Sequence, residues 1–219
     1  MSNPSKFKLD PRMNTVDQIY HGLREAIVSL EWHPGQRVRE KDLCERFGTS
    51  RTPLREAMIL LAQDGLLEVL PQRGTFVSKI SMQEVREGFF LRELIETAMV
   101  RTAAESPSEA LSDRLETNLQ LQQRCAERQD EDGLYPLDQD FHRALSEANY
   151  SERVWRIISL AKLQLDRMRR LSYPIPGYLD TIVSQHQAIA NAVLSAHPVQ
   201  AVQAMRDHLS DVIHKMEAL

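Results

Sequence analysis

Apolar positions fall first on a 3.6-residue period, switch briefly to strand-like runs, and then return to the helical period for the rest of the chain. Val16, Ile19, Tyr20, Leu23 and Ile27 recur at helical spacing and predict a helix over residues 15–30, which "HPGQRV" ends. "EKDLCERF", with Leu43 and Phe47 one turn apart, predicts a short second helix. "GTS" then supplies a glycine turn and Ser50 as a cap for a third helix, "RTPLREAMILLAQDG". In that helix Leu54, Ala57, Met58 and Leu61 form the buried stripe. Arg51, Thr52 and Arg55 therefore fall on the outward face of its first turns, where Pro53 has no helical hydrogen bond to lose.

After Gly65 the runs "LLEVL" and "TFVS" are rich in β-formers, and "PQRG" between them predicts a hairpin. Three helices and a hairpin make a winged helix-turn-helix over residues 1–79. From 80 to 219 every segment reads helical. Capping boxes at Ser81–Glu84 and Ser106–Glu109, with breaks at 130–136, 149–151, 172–177 and 197–198, predict about six helices. The expected fold class is mainly α: an N-terminal winged helix-turn-helix with a small β-hairpin wing, and a C-terminal antiparallel all-helical bundle.

No apolar run approaches the roughly 20 residues that span a bilayer, and the N-terminal stretch lacks the apolar core of a leader. A cytoplasmic protein that makes no use of a membrane is expected. Cys44 and Cys125 lie on separate predicted helices with no CxxC spacing, so both are expected as reduced structural thiols. The net charge of −4 is unevenly spread. Residues 1–79 hold 12 Lys+Arg against 10 Asp+Glu, a net of +2, which leaves 15 against 21, a net of −6, for the remainder. Two domains with different partners follow from that split.

The first half carries the chemistry of a DNA reader. Arg51 and Arg55 stand one turn apart with Thr52 between them, at a helix N-terminus whose unpaired amides favour phosphate. An arginine can grip guanine O6 and N7 with two hydrogen bonds, while hydroxyl and amide groups hold the backbone. Arg73 and Gly74, at the wing tip, suit a minor groove, where an Arg meets concentrated negative potential and Gly permits close approach. Any one of these arginines alone reads first as a solvated surface charge; together, in this order and on this face, they point to DNA.

The second half carries a polar set on apolar stripes. Asp138 and His142 lie one turn apart among Leu137, Phe141, Leu145 and Ala148; His186 sits among Ile182, Ile189 and Val193; His208 lies beside Met205. Three nitrogens and one oxygen suit a divalent metal, zinc foremost, with nickel, manganese or iron also compatible. The same four read equally as polar core residues with satisfied partners. His214, six residues past His208, is turned about 240° away. A metal-dependent hydrolase is the competing class, but its general base is missing: Asp140, the nearest spare acid, is turned about 200° from Asp138. No catalytic residue and no enzymatic activity are expected.

"PGQRVREKDLCERFGTSRTPLREAMILLAQDGLLEVLPQRGTFVS" resembles the DNA-binding domain of GntR-type bacterial transcription regulators across nearly all of residues 13–79. The resemblance implies operator contacts from Lys41, Arg51, Thr52, Arg55 and Gly74. Many members have Arg where this chain has Lys41, which makes that contact a point charge and not a fork. "DQDFHRALSEANY" and "HQAIANAVLSAHPVQAVQAMRDHL" likewise resemble the FCD effector-binding domain of the FadR-like branch, over residues 81–214. That similarity implies a metal on Asp138, His142, His186 and His208, a small organic acid beside it held by Arg92, and a homodimer on double-stranded operator DNA. Arg92 reads equally as an ion-pair partner of Glu96. Where many relatives have Gly-Asp before the last helix, this chain has Ala196-His197.

Overall fold

In the computed structural model the chain divides into two compact units, residues 1–81 and 82–219. Residues 8–173 and 175–217 are described, the side chains of Ser172, Val212 and 214–217 excepted. The leader reading over residues 1–7 and the exclusion of His214 as a ligand fall outside them.

The first unit runs α1 (Thr15–Val28), β1 (Arg37–Val38), α2 (Glu40–Phe47), α3 (Arg51–Gln63), β2 (Leu67–Leu70) and β3 (Gly74–Val77). Asn14 caps α1 by accepting from the amides of Val16 and Asp17. The helix stops two residues short of expectation, and Leu30 then takes a left-handed φ of 62°. Ile19, Leu23 and Ile27 of α1 are buried, as are Leu54 and Leu61 of α3, against which α1 packs. Gly48 turns α2 into α3 with φ 61°. Ser50 occupies the cap position of α3, but its hydroxyl makes no capping bond, contrary to expectation.

The wing holds more than the expected hairpin. β1 adds to the far side of β3, giving a three-stranded antiparallel sheet in the order β1-β3-β2. Arg37 pairs with Phe76 and Val38 with Thr75. A two-residue strand is too short to show alternation in sequence, so "HPGQRV" reads only as a break.

The second unit is all-helical: α4 (Met82–Glu105), α5 (Glu109–Glu127), α6 (Glu131–Glu147), α7 (Glu152–Ala161), α8 (Leu163–Ser172), α9 (Tyr178–Leu194) and α10 (Pro198–Glu217). Seven helices among the described residues replace the expected six, because the chain also breaks at Lys162. Two expected boundaries move. Ser108, and not Ser106, caps α5 through the amide of Leu111 at 3.2 Å, since Pro107 holds the residue before it out of helical geometry. The break at 130–136 ends at Asp130, which caps α6 through Gly133 N at 2.9 Å, and Pro136 lies inside the helix. Met99, Val100, Leu115, Phe141, Ile189 and Met205 belong to one buried core joining α4, α5, α6, α9 and α10.

The turn between α9 and α10 explains the departure at Ala196-His197. Ala196 donates to Val193 O and His197 to Ala192 O, the paired bonds of a helix C-terminus that turns through a left-handed residue. Ala196 supplies that residue at φ 56°, a conformation costing an L-residue roughly 1–2 kcal/mol. Ala196→Gly should therefore raise stability by about 1 kcal/mol in urea unfolding. A neutral or destabilising result would mean that Ala196 is not strained.

Candidate metal centre and nucleic-acid interface

Helical spacing places Asp138 and His142 one turn apart on α6, and α9 and α10 bring His186 and His208 to meet them. All four are buried, and one ligand atom from each lies within 4.8 Å of the others. Asp138 Oδ1 is 3.4 Å from His186 Nε2 and 3.8 Å from His142 Nε2. The Nε2 atoms of His186 and His208 are 3.4 Å apart. Donors around a tetrahedral ion with bonds of 2.0–2.1 Å lie about 3.3 Å from one another, so these separations fit the donor set of a divalent metal.

The far side of each imidazole is also occupied. His186 Nδ1 lies 2.8 Å from Gln122 Oε1, and His208 Nδ1 lies 2.9 Å from Gln185 Oε1. His142 Nδ1 lies 2.6 Å from Glu96 Oε2. For His186 and His208 the amide oxygen can only accept, so the proton belongs on Nδ1 and the Nε2 lone pair is turned inward, the tautomer a metal requires. For His186 the orientation traces back to the main chain. Asn118 Nδ2 donates to Leu137 O at 3.0 Å, and Gln122 Nε2 donates to Asn118 Oδ1 at 2.6 Å, which leaves Gln122 Oε1 to face the ring. Phe141 stacks on the other face of His186, with centroids 4.2 Å apart. Burial, outweighing the attraction of Asp138, holds His186 far below its ordinary pKa; burial and the neighbouring His186 do the same for His208. Both rings are neutral, as ligands must be.

Arg92 reaches the cluster from α4. Its Nε donates to Glu96 Oε1 at 2.5 Å and its Nη2 lies 3.3 Å from His142 Nε2, so it stands beside the donors while also making the ion pair with Glu96. Burial would raise the Glu96 pKa, but Arg92 and then His142 more than reverse it and keep the carboxylate charged.

Arg169 of α8 was not foreseen from sequence. Its two Nη atoms donate to the two oxygens of Asp138, each at 2.7 Å, a bidentate pair with both side chains about 1% exposed. Burial alone would raise the Asp138 pKa; Arg169, followed by His142 and His186, brings it well below the usual carboxylate range. Lys162 pairs with Asp166 nearby, and Tyr135 OH donates to that carboxylate at 3.0 Å. From Lys162 to Arg167 every residue is buried, so α8 shows no apolar face, the signal by which inward residues are recognised. Asp140 points away from the cluster, with its carboxylate held by Arg114 of α5 at 2.5 Å.

In the first unit, Arg51, Thr52 and Arg55 are exposed along the start of α3, Lys41 is exposed at the start of α2, and Arg73 is exposed in the turn between β2 and β3. Gly74 opens β3 with φ 107°, a value that favours glycine. Arg55 Nε donates to Glu40 Oε1 at 2.9 Å, and the arginine side chain stays 59% exposed. No helix among the described residues is long and apolar enough to cross a membrane.

Comparison with known proteins agrees with both halves. Residues 15–77 match the gntR family of bacterial regulatory proteins, and residues 87–211 match the FCD domain. The HTH-type transcriptional repressor RspR of Escherichia coli K12 is 37% identical over 205 residues, covering 94% of this chain and 90% of that protein. An HTH-type regulator in an unstable DNA locus of Streptomyces ambofaciens is 36% identical over 201 residues, 92% of this chain and 84% of its own length. The solved structure of E. coli McbR/YncC superposes with a TM-score of 0.83 at 19% identity, covering 94% of this chain and 98% of that one, a likeness of fold. The winged helix-turn-helix, the helical unit that follows it in the chain and these relatives together establish that the chain belongs to the GntR family of bacterial regulatory proteins, with an FCD domain, and is a DNA-binding regulator of transcription and not an enzyme.

Proposed function

We propose that the helical unit holds a divalent metal on Asp138, His142, His186 and His208, and reads a small organic acid bound beside it. The observation that carries this reading is the convergence of one ligand atom from each of the four residues within 4.8 Å, with His186 and His208 each held by an amide oxygen on Nδ1. Zinc suits the donors best; nickel, manganese and iron share the chemistry. Bound there, the ion would supply a Lewis-acidic point for a carboxylate oxygen. The acid itself is supported by buried donors: Arg92 Nη1, Arg169 Nε and the Tyr173 hydroxyl make no hydrogen bond. Burying such groups unpaired is costly, and an anionic ligand with several acceptors would satisfy them.

The ligand would act by linkage, shifting operator affinity by its differential affinity for two arrangements of the protein. Arg51, Thr52 and Arg55 would read base edges in the major groove, with Lys41 on a phosphate and Arg73 and Gly74 at the minor groove. A cytoplasmic homodimer suits a two-fold operator, and Phe90, Leu91 and Leu94, all exposed on α4, give a second copy an apolar surface to cover. RspR is named a repressor, and the same direction is inferred here.

The test is a titration of purified protein onto its own promoter DNA, with metal analysis of the same sample. Arg51→Ala and Arg55→Ala should each weaken specific binding by about 1–3 kcal/mol, roughly 5- to 150-fold, while non-specific binding changes far less. Near one equivalent of metal per chain should accompany the native protein and be absent from His186→Ala. A native protein without stoichiometric metal would end the metal assignment, and unchanged specificity in both arginine variants would end the recognition-helix assignment.

A further inference from the structure

We propose that Arg37, on β1, is a further DNA contact: its guanidinium lies across Gly74 at the edge of the wing and binds a backbone phosphate of the duplex. Strand register places it there. Arg37 pairs with Phe76, and Gly74 lies two residues before Phe76 on β3, so all three share one face of the sheet. Because Gly74 has no side chain, the Arg37 side chain can run diagonally along that face. A Cβ at Gly74 would stand 3.3 Å from Arg37 Nε and 3.4 Å from its Nη2. The glycine therefore does two things, taking the φ of 107° and making room for the arginine.

Charge pairing separates Arg37 from some of its neighbours, and its place over Gly74 separates it from Arg39, which is equally exposed and unpaired among the described residues. Arg46 is joined to Glu31 at 2.7 Å, Arg55 to Glu40 at 2.9 Å and Lys41 to Glu45 at 4.0 Å. Among the described residues, the Arg37 side chain has no hydrogen-bond or ion-pair partner, and the residue is exposed. Arg73, exposed in the adjoining turn, gives the wing a second cation next to it. Two arginines on one wing, one of them running over a glycine, suit the phosphates lining the groove that the tip enters. That placement makes the contact independent of sequence.

The proposal rests on the wing facing DNA, and the test separates the two. Binding to a labelled mixed-sequence duplex is followed across a salt series for the native protein, Arg37→Ala, Arg37→Gln and Arg73→Ala. Each phosphate contact adds about 0.9 to the slope of log K against log salt, so both Arg37 variants should lower it by about 0.9 per bound protomer. Between about 50 and about 200 mM salt, the native protein should thus lose about 3.5-fold more affinity per protomer than either variant. Arg37→Lys should keep the native slope, and thermal melting should show all variants folded. Arg37→Gln keeps the stem over Gly74 without the charge, so a native slope in that variant overturns the proposal. So does a loss seen on the promoter fragment but not on the mixed-sequence duplex, which would make Arg37 a base reader. A reduced slope for Arg73→Ala beside a native slope for Arg37→Ala would keep the wing on DNA and remove Arg37 from it.

Discussion

Asp138→Ala, measured by urea unfolding in the presence of chelator, should cost the protein about 3–5 kcal/mol, because it leaves Arg169 charged and buried with no counterion. Both side chains are about 1% exposed and joined through two bonds of 2.7 Å, so water cannot compensate for the missing carboxylate. Chelator removes any contribution from a bound ion, which leaves the loss to the protein's own contacts, the pair with Arg169 foremost. Asp138→Leu combined with Arg169→Met should recover most of the stability, since an apolar pair of similar volume needs no counterion. A loss below about 1 kcal/mol in the single variant would show that Arg169 finds another partner.

Gly88→Ala should also destabilise, against the usual sign. In a helix interior this substitution normally gains about 1 kcal/mol. Here the new Cβ would stand 2.3 Å from the carbonyl oxygen of Ala161 and 3.3 Å from its carbon, both main-chain atoms that no rotamer change can move. Overpacking of this kind costs about 1–3 kcal/mol or more, so the net result should be a loss. α8 begins two residues after Ala161, and pushing that junction outward would draw Arg169 away from Asp138. Stability and metal content should therefore fall together, and a variant as stable as the native protein would show that α7 and α8 yield freely.

The winged helix was legible because each of its parts has a local cause: a four-residue apolar stripe in α3, a glycine turn at Gly48, a proline-opened hairpin loop. β1 was not, since two residues carry no period. In the helical unit, Asp138, His142, His186 and His208 could be singled out because each is a polar residue on an otherwise apolar stripe. Their long-range partners could not. Gln122 and Gln185 look like ordinary surface amides until α5 and α9 are placed, and Arg169 lies on a helix buried nearly all round. A periodicity argument finds the inward face of a half-exposed helix; it has no purchase on a segment such as 162–167, buried at every position.

The pairing of Asp138 with Arg169 also bears on which ions the cluster admits. A cation that takes Asp138 Oδ1 must draw it away from a tethered guanidinium that already supplies a full positive charge and two aligned donors. Sodium or potassium offers that carboxylate nothing Arg169 does not, and brings weaker affinity for three imidazole nitrogens. A doubly charged ion with an appetite for nitrogen gains at all four donors at once. At the proposed metal site the arginine would thus be a resident competitor, disfavouring monovalent ions by already occupying the carboxylate they would seek.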